Sequence, residues 1–317
     1  MKITVILCTY NRCQILAKAL DSVAALKLPD SVEWEILVVD NNSRDQTRRI
    51  VEDFCQRFPG CFRYLFEPRQ GKSHALNSGI QEALGDVVAF MDDDVTVEPR
   101  WLQNLTAHLD SGQWAGAAGR IILQWPKSLP AWLSTTGPYA RCPFPDFDLG
   151  QEAKQLTRPP FGANMAFRKS MFEKYGGFRT DLGPSASREI PCPNEDVEFG
   201  RRLLDAGERL CYEPSAVVYH PVAPERITKK YFLDWWFDAG RAEVRAFGVR
   251  PGTKWYLAGI PLYLLRSLGL WTLRWVLELN PRVRFYLKIM VWGKVGGIQE
   301  CYRQSRVRNV AVRTELT

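Results

Sequence analysis

Three carboxylates stand side by side at Asp92, Asp93 and Asp94, directly after an apolar run, in the stretch "VVAFMDDDVTVEPRW" (87–101). Adjacent carboxylates repel one another, so a chain that places them there needs a reason. A solvated acidic turn capping a helix that starts near Trp101 is one. A calcium loop of the EF-hand type is excluded by spacing, because the sixth position from Asp92 is Val97 instead of Gly and the twelfth is Gln103 instead of Glu. The third is a divalent-cation site facing a diphosphate. Magnesium and manganese take oxygen ligands, need only one or two carboxylates, and fill their remaining positions with water and phosphate.

Glu195 and Asp196, in "PNEDVEFGRRLLDAG" (193–207), form a second acidic pair. Such a pair either takes a proton from a substrate or sits in a first helical turn because the dipole favours negative charge there. His220, one of only three histidines, closes the extended stretch "RLCYEPSAVVYHP" (209–221), as a metal ligand or as a buried imidazole. Arg69 and Lys72, in "EPRQGKSHALN", face phosphates or line a solvated turn.

These residues need elements to carry them. "ITVILCT" (3–9), "WEILVVD" (34–40), "FRYLFE" (62–67) and "DVVAFMD" (86–92) have the length and β-branched content of strands. Between them, 12–26, 44–58 and 73–84 carry apolar residues at helical spacing, as at Ile15, Leu16, Ala19, Leu20 and Val23. A β-α-β-α-β-α-β order predicts an α/β domain with a mostly parallel sheet flanked by helices. Ligands of such sheets bind beyond the carboxyl ends of the strands. The first strand ends at Thr9-Tyr10-Asn11-Arg12, the second at Asp40-Asn41-Asn42-Ser43, and the fourth at the three aspartates, so one polar rim is expected. Asn41 to Ser43 also suit a simple helix cap. Residues 125–160 hold seven prolines interleaved with Trp125, Trp132, Tyr139, Phe144 and Phe147, which predicts a long lid or binding loop.

The chain has 317 residues, enough for one large domain or two smaller ones, and a formal net charge of +7. Residues 226–317 hold 17 Lys and Arg against 6 Asp and Glu, or +11, while residues 1–225 hold 25 against 29, or −4. The basic excess therefore belongs to the last third and points to an anionic surface there. Six of the eleven tryptophans follow residue 230. The apolar stretch 255–279 is interrupted by Pro261, Arg266 and Arg274, so it falls short of the roughly 18 uncharged residues that span a bilayer. Trp and Arg around an apolar face fit a helix lying in a membrane interface, with Trp255, Trp271 and Trp275 at headgroup depth and Leu262, Leu265 and Leu268 toward the acyl chains. A core helix or an oligomer contact is the alternative. No nucleic-acid motif accompanies the charge. The eight cysteines are scattered with no C-x-x-C pair, and no signal peptide is evident, which suits a cytoplasmic protein with reduced thiols and no zinc site.

Five stretches in order, "CTYNR", "VVDNNS", "GKSHALNSGI…GDVVAFMDDDV", "FGANMAFRKS" and "NEDVEFGRRLLDAGERLCYEPSAVVYH", closely resemble family-2 glycosyltransferases, inverting enzymes of the GT-A fold, over about residues 1–225. The resemblance implies a nucleotide-sugar donor, with UDP the expected nucleotide, and a glycan or lipid-linked acceptor. It covers a domain of residues 1–225, and the composition of the rest predicts a helical, basic, membrane-associating region of 226–317. Thr9, Tyr10 and Arg12 would open the nucleotide pocket, Asp40 would bind the base, and Lys72 would face the donor. Asp92 and Asp94 would be the outer residues of a D-x-D motif with Asp93 between them, binding Mn2+ or Mg2+ with His220 as a third ligand. Gly162, Ala163 and Asn164 would form a platform near the donor sugar, Asp196 would be the catalytic base, and Glu195 would orient the acceptor. Two rivals stand beside this reading. A sugar-phosphate nucleotidyltransferase would also use paired aspartates, but its Gly-rich loop is missing after the first strand. A non-catalytic glycan-binding module would show no donor turnover.

Overall fold

The computed structural model describes residues 1–185 and 193–314; Cys192, one of the eight cysteines, lies outside them. The described residues form two compact units, one of residues 1–124, 145–185 and 195–221, the other of 125–144, 193–194 and 222–314.

In the first unit, β1 (Lys2–Thr9), α1 (Cys13–Ala24), β2 (Glu33–Asp40), α2 (Thr47–Arg57), β3 (Phe62–Phe66), α3 (Lys72–Glu82) and β4 (Val87–Asp92) follow one another. Then come β5 (Thr96–Val97), α4 (Trp101–Thr106), β6 (Gly116–Gln124), β7 (Lys154–Gln155), β8 (Met165–Arg168), α5 (Ser170–Tyr175), α6 (Glu195–Asp205) and β9 (Leu210–Pro221). Among the described residues these strands make one sheet in the order β3-β2-β1-β4-β8-β6-β9-β5, with β7 on β9. β3, β2, β1 and β4 are mutually parallel, and β8 enters antiparallel between β4 and β6. This is the mostly parallel, helix-flanked sheet that the periodicity predicts.

Register sets the rim. Thr9 pairs with Asp40, Asp40 with Phe66, and Cys8 with Asp92, so the ends of four strands meet at one level. The interior strands read as continuous apolar runs because both faces are covered: Ile3, Val5, Ile6, Leu7, Ile36 and Val38 are all sealed from solvent. An aromatic cluster then fixes α6 against the sheet. Phe199 of α6 stacks on Phe172 with centroids 4.5 Å apart and meets Phe167 edge-on at 5.1 Å, while Phe90 of β4 meets Phe178 edge-on at 5.5 Å. Edge-to-face and offset contacts of this kind hold a fixed orientation, so the first turn of α6 is aimed rather than merely attached.

The sheet carries one large irregularity. β6 and β9 run parallel from Gly116–Leu210, but the register jumps between Gly119 and Arg120: Gly119 pairs with Glu213, and Arg120 with Val217. Pro214, Ser215 and Ala216 are therefore extra on β9, and a bulge bends the strand before its last stretch.

The second unit contains α7 (Lys229–Phe247), the short hairpin β10 (Tyr256–Leu257) and β11 (Ile260–Pro261), α8 (Leu262–Leu277) and α9 (Pro281–Thr314). The expected lid divides between the units, and its aromatics are packing residues. Trp132 sits 4.5 Å from Phe285 and 5.3 Å from Phe232, Tyr139 meets Tyr286 at 5.4 Å, and Phe144 stacks on Tyr231 at 6.1 Å. Phe147 belongs to the first unit, fully buried against Phe161 and Tyr212. Helices α7 and α9 approach with backbone against backbone: a Cβ on Gly240 would lie 1.9 Å from the Gly293 carbonyl oxygen, and one on Gly296 the same distance from that of Phe237. Buried Glu300 of α9 accepts from Arg241 (3.5 Å) and Arg245 (3.2 Å) of α7 and from Arg303.

The orientation of α8 departs from the sequence expectation. Trp271 packs on Tyr286 at 6.4 Å and Trp275 on Trp292 at 6.1 Å, so both face α9 instead of lying at an exposed membrane level. Leu265 and Leu268 are half-buried, and the outward side chains are others, taken up below.

Candidate active site

The three aspartates do not share one environment. Asp92 is held by Lys72, Nζ to Oδ1 at 2.6 Å. Asp93 turns inward and is buried, accepting from the Thr9 hydroxyl at 2.8 Å and from Arg12 at 2.7 Å. Asp94 faces Arg12 at 3.0 Å and His220, whose Nε2 lies 3.6 Å from its Oδ1. The mutual repulsion of the triplet is thus met by the protein's own cations, one per side, and does not wait for a bound metal. Thr9, Arg12 and Asp93 form a clasp beneath the rim; Tyr10 follows β1 directly and is half-buried. Burial pushes the Asp93 carboxyl upward, with the neighbouring Asp94 charge adding to it against the pull of Arg12. For Asp92, burial also pushes upward, but Lys72 outweighs it and the net shift is down.

Lys72 is the hub. It opens α3 after Gly71, whose φ of +134° suits glycine, and its ammonium stands 2.6 Å from Asp92 and 3.7 Å from Glu195. Burial favours the neutral amine, but the surrounding carboxylates, Asp92 first, hold it charged. Its position depends on a residue that sequence reasoning left as a cap. Asn41 is buried; its amide donates to the carbonyls of Glu67 (3.3 Å) and Arg69 (2.7 Å), and its oxygen accepts from the Gly71 N–H at 2.8 Å. Asn41 therefore ties the end of β2 to the loop that delivers Lys72. Glu67, buried and clamped by Arg69 at 2.8 Å, completes that loop. Arg69 is thus spent on Glu67. Asp40 accepts from the Tyr64 hydroxyl and the Ser43 N–H, both at 2.9 Å, and is held at the rim beside Thr9.

Glu195 and Asp196 open α6 and differ in access. Glu195 is buried, and burial together with the charge of Asp196 raises its carboxyl to about 7 against the pull of Lys72. Asp196 is half-buried. Its Oδ2 accepts from the Gly162 N–H at 2.6 Å and its Oδ1 from its neighbour Val197 N–H at 2.7 Å. Its carboxyl is also raised by burial, which exceeds the lowering effect of Lys72 and the two N–H groups. A partly accessible carboxylate with an elevated pKa is the right group to take a proton near neutral pH.

The 162–164 segment splits. Gly162 contacts Asp196 as described, and Ala163 is buried. The Asn164 side chain is fully buried, and its amide is bonded within the protein. Its Nδ2 donates to the carbonyls of Arg120 (2.9 Å) and Ala216 (2.8 Å), both at the β6–β9 bulge, and its Oδ1 accepts from the buried Trp101 indole at 2.8 Å. Asn164 satisfies carbonyls that the bulge withdraws from the ladder, and the bend it stabilises leads β9 to His220. Asn164→Ala leaves three buried polar groups without this partner, at about 1–3 kcal/mol each. Denaturant unfolding should show at least about 3 kcal/mol of destabilisation on that scale, whereas a substrate-facing Asn would leave stability unchanged.

Asp92, Asp94 and His220 each offer a ligand atom within 4.8 Å of the others. The His220 Nδ1 lies 3.1 Å from the Pro221 carbonyl, which can only accept, so Nδ1 donates there and Nε2 is the ring nitrogen turned toward Asp94. Two oxygen donors and one imidazole nitrogen, with the imidazole oriented from behind by a carbonyl, suit Mn2+ or Mg2+.

A GT-A-type sheet whose acidic rim faces a helix-borne carboxylate pair defines a nucleotide-sugar-dependent transferase. The sequence pattern of glycosyl transferase family 2 matches residues 4–176, and the chain belongs to that family. It is 28% identical over 261 residues to the succinoglycan biosynthesis protein ExoM of Rhizobium meliloti (strain 1021), covering 80% of this chain and 79% of that one. It is 25% identical over 223 residues to the glucosyl-dolichyl phosphate glucuronosyltransferase of Haloferax volcanii, covering 69% of each. Among solved structures, the mannosyltransferase PcManGT from Pyrobaculum calidifontis in complex with GDP-Man and Mn2+ superposes with a TM-score of 0.62 at 19% identity, over 95% of this chain and 87% of that one. GalNAc-T7 with UDP, GalNAc and Mn2+ gives 0.57 at 16% identity, over 80% and 52%.

Proposed function

We propose that the protein transfers a sugar from a UDP-linked donor to a hydroxyl of a growing polysaccharide or lipid-linked glycan, with inversion at the anomeric carbon. The observation that carries this reading is Lys72, which stands between the Asp92 end of the cation cluster and Glu195 of the carboxylate pair, placing donor-side and acceptor-side chemistry within one rim. Asp40 receives the N–H of the base. Asp92, Asp94 and His220 would hold Mn2+ or Mg2+, which would supply Lewis-acid stabilisation of the departing diphosphate. Asp196 takes the proton of the attacking hydroxyl, and Glu195 with Lys72 fixes its surroundings. A base on the face opposite the leaving group makes a single in-line displacement, so no covalent intermediate is needed. Support for a surface-glycan or lipid-linked acceptor comes from the two relatives, whose names are a succinoglycan biosynthesis protein and a transferase acting on a glucosyl-dolichyl phosphate. We place the protein peripherally on the cytoplasmic face of a membrane.

The test is metal removal combined with product analysis. Chelator should abolish transfer, Mn2+ or Mg2+ should restore it, and the donor should yield free nucleoside diphosphate. Asp94→Ala should lose turnover and metal-assisted donor binding together, read by calorimetry with and without Mn2+. Full activity in excess chelator rejects the metal assignment; release of pyrophosphate identifies a nucleotidyltransferase instead.

A further inference from the structure

Helix α8 has no acidic residue in its sequence LYLLRSLGLWTLRWVL, and it is apolar on nearly every side. Packing fixes its phase. Leu264, Trp271 and Trp275 point to the packed side, the two tryptophans against α9. The opposite side carries Leu262, Leu270, Leu273, Val276 and Leu277, all exposed, with Leu273 at 57% and Leu277 at 69%, followed by Leu279 at 89%. Their spacing of i, i+8, i+11, i+14 and i+15 places them on one helical face, about 24 Å long at 1.5 Å per residue. The preceding hairpin adds exposed Trp255 at 74% and Leu257 at 60%. A contiguous apolar face of this kind marks an interaction surface.

We propose that this face of α8 rests on an anionic lipid bilayer, with the helix parallel to the membrane plane. The charge pattern selects this occupant. Between Val244 and Gln299 there is one acidic residue, Glu278, against nine Lys and Arg. Arg266 is exposed within the face and Arg274 is exposed on its flank, with its guanidinium 5.5 Å from the centre of the Trp271 ring, and both have alkyl stems long enough to lift their charge to headgroup level. A two-fold contact with a second copy through this face would gather four arginines, two from each copy, with no carboxylate of α8 to meet them. Among the described residues no helix is long and apolar enough to cross a membrane. A helix with an exposed leucine face, arginines beside it and no acid has the pattern of interfacial binding.

The inference deepens the peripheral placement above, and its test needs no turnover, so it stands or falls separately from the transfer chemistry. Purified full-length protein should co-float with phosphatidylcholine vesicles containing phosphatidylglycerol, and should be released progressively as salt rises. Each basic side chain near the surface is worth about fivefold in partitioning. The double substitution L273E/L277E alters only exposed positions and should cut the bound fraction at least tenfold with the thermal melt unchanged. R266E/R274E should abolish the preference for anionic over neutral vesicles. Failure to float with any composition, or equal flotation of L273E/L277E, overturns the proposal. A dimer in light scattering that L273E/L277E converts to a monomer, without vesicle binding, assigns the face to a second copy instead.

Discussion

Asp196→Asn should slow transfer by on the order of 10²–10⁴ while leaving donor affinity nearly unchanged. The amide keeps the shape of the side chain and can still accept the Gly162 N–H, but it cannot take a proton. Glu195→Gln should behave differently, because Glu195 is buried beside Lys72 and acts through its neighbour. Its effect is read best in the pH profile. The base must be unprotonated to act, so activity is lost as pH falls through the apparent pKa of the pair. Glu195 is raised to about 7 and Asp196 is raised as well, so the acid limb should lie well above the ordinary carboxylate range. Burial and the Asp196 charge are what raise Glu195, so a limb near 7 that disappears in Glu195→Gln belongs to Glu195, and one that persists belongs to Asp196. Normal turnover by Asp196→Asn together with loss in Glu195→Gln would reverse the two roles, and indifference of both would reduce the pair to a helix cap.

Glu300→Ala should destabilise the helical unit by about 3–5 kcal/mol, the cost of removing one partner from a buried ionic cluster. The loss would leave Arg241, itself buried, without the carboxylate that joins α7 to α9. Burial opposes the charge of Glu300, but Arg303 and Arg245 outweigh it and bring its carboxyl down to about 2. A depressed carboxylate stabilises the fold fully above its unfolded pKa and loses that contribution as pH falls toward the folded value. Wild type should therefore weaken in acid between about pH 4.5 and pH 2 by a component that Glu300→Ala lacks. Chemical denaturation across that interval, followed by the tryptophans of α7 to α9, measures it. A variant with wild-type acid sensitivity and stability would show that the cluster contributes nothing.

The first four strands and their helices were legible because each carries its own period and each polar strand end falls where register puts it. Asp40, Lys72, Asp92, Asp94, Asp196 and His220 could be picked out for the same reason: they sit at the ends of readable elements. The buried contacts of Asn164 could not be read, since its partners at Arg120, Ala216 and Trp101 are brought together by a bulge that no local pattern announces. Asn41 was visible only as one polar residue among several, because its role depends on a loop some 28 residues away. The aromatics of 125–144 looked like a lid because their partners, Phe232, Phe285 and Tyr286, lie far along the chain. For α8, a helix apolar all round has no phase to read; only the positions of Tyr286 and Trp292 decide which way it turns.

The glycine contact between α7 and α9 has a bearing on where the helical unit can live. Beside the Glu300 cluster, part of its cohesion comes from main chain pressed on main chain at Gly240, Gly293 and Gly296, where dispersion acts at short range. Oil and water are then nearly equivalent surroundings for that seam. Helices joined mainly by leucine would lose much of their mutual preference once lipid offered the same company, and would drift apart. A pair joined through glycine can keep its shape with water on one flank and an apolar surface on the other.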